Sequence, residues 1–464
     1  MSAKPPPKWL NSSLTLLLVA LSTCVLISKT YDAPTASAAA RGLFVTLCLF
    51  GLRYGSIREW LLAAVAATLA LILTMSNPGS ADLNAAADLA AFFAAFIVLL
   101  TVLKVAAERS RSILAVGRFL TSQPPGRRFY ATALGGHVLG VFLNFGAVSL
   151  MAPLIQKGAI ITGTKPDPDL ERRQLSALLR GFSWILLWAP TTLSQAVLLT
   201  LFTDVNMSQI FGMGLATAFL MMLLGRMYDR YEWRNAPRRT AAKQAPIPPW
   251  RAIGIVGCVC FGLITSTVLL QLSAGYSTAL ALMFVAPAIT IFWFGLQTPK
   301  VSEICQHLWK LGPLLAANAA GLTRSAMALG LSGFIGRALA EVLPIEEISN
   351  HIDLSALPGW VFLACLPLLI TLGGQVAISP IMLVVFLGQV IQTLPVLPAE
   401  PTHIVFALSA GWAISMLASP NATATLLIAA TSGIAPTTLT WRWNLRYAVL
   451  CYAVFVGIFV VLAW

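Results

Sequence analysis

Two short polar stretches interrupt long apolar runs, and each is built around a proline. Pro190 leads Thr191, Thr192, Ser194 and Gln195; Pro420 follows Ser419 and leads Asn421, Thr423 and Thr425. Proline lacks the backbone N–H and clashes with the preceding helical turn, so both positions predict a broken helix. A half-helix restarting after the break presents free N–H groups and the positive end of its dipole, which suits an anion. Carbonyls of the preceding half, with the hydroxyl and amide side chains, could coordinate a cation. One break alone is matched equally well by a proline kink with local Ser and Thr hydrogen bonds. Two breaks at matched spacing favour a site.

The matching extends upstream. Leu134-Gly135-Gly136-His137-Val138 recurs as Leu372-Gly373-Gly374-Gln375-Val376, and each copy opens an apolar run that ends in Ile155-Gln156 or Ile391-Gln392. Gly181 stands nine residues before Pro190, and Gly411 nine before Pro420. Duplicated halves with interrupted helices are the sequence signature of a secondary transporter.

Three further residue types bear on the chemistry. Arg324 falls in the middle of the apolar stretch Pro313 to Ile335, with no acid in that stretch to pair with it. A charge at such depth is costly, so an anionic substrate is its expected contact; an Arg bonding backbone carbonyls or snorkelling is the alternative. His137 beside the Gly pair has the ordinary pKa range of a proton-coupling group, against the more common role of a structural hydrogen-bonder. Acidic residues are scarce at the centres of the apolar runs, which disfavours a cation/proton exchanger and favours an anion carrier.

Composition sets the frame for these residues. The 464 residues are 58% hydrophobic and 10% charged, far below the quarter charged of a typical soluble domain. Apolar runs of about 20 residues recur throughout, each enough to cross a bilayer. The net charge of +13 resides in the connections, where it reads as a topology signal rather than a nucleic-acid footprint. The seven cysteines show neither metal-ligand spacing nor a disulfide framework, and no metal or cofactor is expected. Residues 1–28 resemble a signal peptide, but the apolar run is long for one, so an uncleaved first helix is expected.

Membrane helices are predicted near 9–28, 36–53, 58–76, 84–105, 174–201, 207–225, 251–272, 277–296, 312–336, 401–431 and 446–464. The stretches at about 128–156 and 358–391 are predicted as re-entrant hairpins, with Gly136, Gly374 and Pro380 as breaks. With the N-terminus inside, this places twenty-six Lys and Arg residues inside and only Lys29, Arg41 and Arg337 outside, as the positive-inside rule requires. The expected architecture is an all-α polytopic membrane protein of two inverted repeats, with about 11 transmembrane helices, two hairpins and two broken helices. An N-terminal helix (1–35) precedes the first repeat (36–226), and a cytoplasmic linker (227–250) leads to the second (251–464).

These residues resemble the ion transporter superfamily, which includes divalent-anion/sodium symporters, arsenite permeases and a type of sodium/proton antiporter. The first half carries the resemblance in Gly136, Asn144, Gly146, Pro153, Gly181, Pro190 and Thr191; the second carries it in Gly374, Ser379, Pro380, Gly411, Ser419, Pro420, Asn421 and Thr423. The first hairpin tip reads Leu143-Asn144-Phe145-Gly146 and the second Ile378-Ser379-Pro380-Ile381, without the Ser-Asn-Thr tip of dicarboxylate symporters. The resemblance implies that ligand and coupling ion bind where hairpin tips and helix breaks meet. It also implies elevator-like movement of that unit and admits a homodimer.

The expected function is secondary transport of a small organic acid or oxyanion across the cell inner (cytoplasmic) membrane, with the C-terminus outside. Substrate contacts are expected at Arg324, Asn144, Gly146, Thr191, Thr192, Ser379, Ser419, Asn421 and Thr423. Coupling to Na+ or H+ is expected through His137, Ser194 and Thr425. The rival readings are an arsenite-like or cation/proton exchanger and, ranked below it, a non-transporting membrane protein or membrane enzyme. No nucleophile–base constellation supports an enzyme.

Overall fold

A computed structural model describes residues 8–76, 81–160, 166–235, 247–297, 306, 309, 312–343, 357–394 and 396–463. Among them every regular element is helical, and nine helices are long and apolar enough to cross a membrane. The first half contains α1 (Lys8–Tyr31), α2 (Pro34–Leu52), α3 (Ile57–Ser76), α4 (Ala81–Glu108), α5 (Arg111–Thr121), α6 (Pro125–Leu143), α7 (Phe145–Ala159), α8 (Pro168–Ser183), α9 (Leu193–Leu201) and α10 (Met207–Glu232). The second contains α11 (Trp250–Ala274), α12 (Thr278–Gln297), α13 (Ala319–Val342), α14 (Gly359–Gln375), α15 (Pro380–Gln392), α16 (Pro401–Ala418), α17 (Thr423–Ser432) and α18 (Leu445–Leu462).

Local sequence explains many of the helix starts. Proline occupies the first turn of α2, α6, α8 and α16, where its missing N–H costs nothing. Asp167 caps α8 by accepting from Leu170 N, and Asn206 caps α10 by accepting from Gln209 N.

Two compact units result. The first is Met1–Ala106, Gly262–Asp353 and Ile381–Pro395; the second is Ala107–Phe261, Leu354–Pro380 and Val396–Trp464. In the first, α13 packs against α2 and α3, and Gly330 leaves room for the Phe44 ring and the Ala90 carbonyl. Asp88 is held there by Arg41 at 3.0 Å and by the Ser37 hydroxyl at 2.9 Å. The second unit holds α5 to α10, α14, α16, α17 and α18.

Three features depart from the sequence reading. The short α5 presents Ile113 and Val116 inward and Arg111 and Arg118 outward, an amphipathic element between two apolar runs. The predicted span 312–336 is interrupted at Asn318, after which α13 begins, so Arg324 is the sixth residue of a 24-residue helix rather than its centre. The segment 174–201 is not among the nine long apolar helices. The helix that enters it, α8, starts earlier, at Pro168, with Asp169, Glu171, Arg172 and Arg173 in its first turns, and the chain leaves the helix at Trp188.

Candidate functional site

Both broken helices lie in the second unit, and each is crossed by a neighbour that demands glycine. In α8, a Cβ at Gly181 would stand 1.9 Å from the Ala133 carbonyl oxygen of α6. In α16, a Cβ at Gly411 would stand 2.7 Å from the Pro367 Cα of α14. No side chain fits either gap, so these two backbones touch their neighbours directly. The contacts climb together along each pair: Gly140 meets Ile185 above Ala133 and Gly181, and Gly374 meets Ser415 and Ser419 above Pro367 and Gly411. In each half the helix carrying the Gly-Gly motif therefore runs parallel to the first part of the broken helix.

The first break follows a 3-10 turn at Trp184–Leu187. The chain is irregular from Trp188 to Thr192, and α9 restarts at Leu193. The Thr192 hydroxyl donates to Ala189 O at 2.7 Å and accepts from Gln195 N at 3.5 Å, which caps α9. Ser194 Oγ reaches back across the break to Leu186 O at 3.3 Å, and Gln195 Nε2 donates to the same oxygen at 2.9 Å. That amide also donates to Ser409 Oγ of α16 at 3.0 Å, which joins the two broken helices.

The second break runs from Ser419 to Ala422 and is built around the C-terminal end of α14. Ser419 Oγ donates to Gly374 O at 2.6 Å; Asn421 Nδ2 donates to Gly374 O at 3.2 Å and to Gln375 O at 3.1 Å. Asn421 N donates to Ser419 Oγ at 3.1 Å. The last α14 carbonyls, orphaned by the helix end, are thus satisfied by the break. Thr425 Oγ1 reaches back to Met416 O at 3.4 Å, the counterpart of Ser194. Unlike α9, α17 opens without a side-chain cap.

His137 has both ring nitrogens engaged. Trp188 Nε1 lies 3.1 Å from His137 Nε2, and an indole N–H can only donate. His137 Nε2 is therefore the acceptor, and Nδ1 carries the proton toward Gly181 O at 3.0 Å. This is the neutral tautomer, packed 97% out of solvent between the first hairpin and the first break.

The sequence-predicted residues separate into groups. Ser419 and Asn421 converge on Gly374, which marks the end of α14, while Pro420 sits between them. Thr192 and Ser194 close the first break beside Pro190. The chain reverses at Asn144, whose positive φ of +49° is paired with ψ of −127°, outside the left-handed helical region and a conformation that L residues rarely adopt, and Gly146 is buried in the first turn of α7. Asn144 Oδ1 and Thr191 Oγ1 are buried without a hydrogen-bond partner among the described residues. The second reversal falls at Val376 to Ser379, with Ala377 at φ +63° and Pro380 opening α15. Ser379 is buried and Thr423 is exposed. Arg324 belongs to the first unit, is exposed, and has no hydrogen bond or ion pair among the described residues.

Some residues of the site escape a sequence reading. Ser415 Oγ is 1% exposed by residue, lies against Gly374, and has no partner among the described residues. It precedes Ser419 by one turn, a spacing that puts both on one helix face and could have revealed it. Ser409 and Trp188 carry no comparable signal, because their partners lie 214 and 51 residues away.

No protein-family model matches the chain, and no curated protein matches it. Among solved structures, the Alcanivorax borkumensis YdaH transporter, described as having an unusual topology, superposes with a TM-score of 0.51 at 16% sequence identity. The match covers 91% of this chain and 98% of that one. At that identity the likeness is one of fold. The chain is an all-helical, multi-spanning membrane protein whose fold is similar to that of the YdaH transporter.

Proposed function

We propose that this chain is a secondary transporter of a small anion, an organic acid or oxyanion, in the cytoplasmic membrane. The observation that carries the reading is the second break. There α17 opens uncapped beside Asn421, with the orphaned, buried Ser415 hydroxyl one turn before Ser419. Free helix N–H groups and an unpartnered hydroxyl donor, held in place by the Asn421 amide, form a cradle for a carboxylate or oxyanion. Orphaned buried polar atoms are rare in folded proteins and point to something that binds there. Thr191 Oγ1 repeats the unpartnered hydroxyl at the first break. The fold likeness to a transporter supports the same class.

Coupling to Na+ or H+ is assigned by chemistry to the hydroxyls that cross the breaks, Ser194 and Thr425. Each already shares a backbone carbonyl that a cation could take up, as in other broken-helix carriers. The duplicated motifs, with inverted halves and elevator-like movement of the second unit, complete the proposal. Arg324 is a separate anion contact in this reading, on the ground that it stands exposed in the early turns of α13 with no hydrogen bond or ion pair among the described residues. A cation/proton exchanger is less well supported, because Asp229, the one buried carboxylate among the described residues, is held by Arg173 and Arg226.

A thermal-shift series on purified protein tests the reading. Carboxylates and oxyanions are compared with sodium alone and pH alone. A stabilising anion whose effect weakens in Asn421→Ala supports the proposal; stabilisation by sodium or proton with no anion effect moves the exchanger to first place.

A further inference from the structure

The densest charged cluster outside the breaks lies in the second unit, where α8, α10 and the turn before α18 meet. Arg173 grips Asp229 through Nε and Nη2, both at 2.7 Å, and Arg226 shares that carboxylate at 2.9 Å. Arg172 pairs with Glu232. Arg180, 2% exposed, donates to Asn444 Oδ1 at 2.8 Å and Trp443 O at 3.2 Å, with the Tyr447 ring 4.7 Å away. Arg172 also lies 5.4 Å from the Trp233 ring and 5.9 Å from the Trp443 ring.

Four arginines meet two carboxylates here, and the layers are ordered by depth. The Asp229 side chain is 1% exposed, while Arg172 and Arg173 are 32% and 31% exposed. Asp229 thus anchors Arg173 from beneath, Arg180 and Arg226 are buried, and Arg172 and Arg173 leave donor edges outward. A guanidinium has five N–H groups. Asp229 takes the Nε–Nη2 edge of Arg173, and among the described residues nothing takes its Nη1. Arg172 gives only Nη2 to Glu232. Arg442 and Arg446, both exposed, flank Trp443 in the chain.

We propose that this patch binds the phosphate of an anionic phospholipid headgroup, with Arg172 and Arg173 as the fork and Trp233 and Trp443 as its apolar walls. Arginine matches phosphate through parallel N–H donors. Tryptophan prefers the depth at which headgroups meet acyl chains. Free phosphate would satisfy the guanidiniums alone and leave the half-buried indoles unused. In a membrane-spanning chain, the combination of both selects the lipid.

The test uses the full-length protein in neutral detergent, with melting temperature followed against added phosphatidylglycerol, phosphatidylcholine or inorganic phosphate. Phosphatidylglycerol alone should stabilise. The double variant Arg442→Gln/Arg446→Gln, which touches no described ion pair, should weaken its apparent affinity about 25-fold, at about fivefold per arginine near an anionic surface. Arg172→Lys, which keeps the charge toward Glu232 but loses the planar fork, should weaken it several-fold. Arg251→Gln, an exposed arginine on α11, should leave it within about twofold. Equal stabilisation by phosphatidylcholine or inorganic phosphate overturns the proposal, as does an equal loss in Arg251→Gln. None of these outcomes depends on which anion, if any, is transported.

Discussion

Asn421 and His137 show how two polar residues beside glycine-rich crossings come to different roles. Asn421 commits both amide hydrogens to Gly374 O and Gln375 O, so its part in anion binding is to brace the break that presents the α17 N–H groups rather than to donate to the ligand. Asn421→Ala should cost roughly 1–2 kcal/mol from two lost hydrogen bonds and also reduce anion binding. Asn206→Ala, which removes only a helix cap, should cost about 1 kcal/mol and leave binding intact. Equal effects on binding would remove the second break from the site. His137 is neutral, with both nitrogens committed. His137→Gln should lower the melting temperature while the pH profile of uptake keeps its shape; a flattened profile would assign the proton to His137 after all. Arginine shows the limit of reading residues in order along the chain. Arg324 is the arginine that the sequence marks as embedded, but the fully buried arginine is Arg180. Its amide partner, Asn444, lies 264 residues away, and no local pattern announces such a contact.

At the scale of elements, the two glycines nine residues before the prolines explain why hairpin and broken helix can lie backbone to backbone. Gly181→Ala places a methyl carbon within 1.9 Å of a carbonyl oxygen, and the helices must part to admit it. We expect a loss of about 3 kcal/mol or more, or no folded protein. Gly212→Ala on α10 meets nothing within 4 Å and should be neutral or stabilising by up to about 1 kcal/mol. Thermal melts of the two variants decide the point, and similar values would contradict the close crossing. The breaks were legible because Pro190 and Pro420 stand among polar residues, whereas Pro153, Pro287 and Pro367 lie inside continuous helices. The chain reversal at Asn144 was legible for a different reason, as a polar residue between two apolar arms. The start of α13 and the amphipathic α5 were not, because an apolar stretch with one Asn reads as continuous, and an 11-residue amphipathic helix is short beside the spans around it.

For the whole molecule, sparse charge together with apolar runs of about 20 residues predict a helical membrane protein, and the described residues are helical with nine helices of that kind. The sequence expectation of about 11 spans stands beside nine among the described residues, the difference arising where polar turns or breaks shorten an apolar run. The opposed orientation of the two repeats rests on the distribution of Lys and Arg. Cysteine labelling should find Thr240 inside and Asn350 outside, two positions beyond the described residues; a reversed result at either would break the inverted-repeat reading. Under the proposed reading the sequence does not name the anion, because N–H groups and hydroxyls suit any small oxyanion or carboxylate.

The most direct measurement is uptake of radiolabelled carboxylates and oxyanions into proteoliposomes, driven by a proton or sodium gradient, for wild type, Arg324→Gln and Asn421→Ala. Arg324 is exposed and has no described partner, so its replacement should leave the melting temperature unchanged and isolate any effect on transport. The account predicts gradient-driven uptake of at least one anion class, abolished in Arg324→Gln and strongly reduced in Asn421→Ala. Gradient-driven movement of cations alone, or anion uptake indifferent to both substitutions, would contradict it.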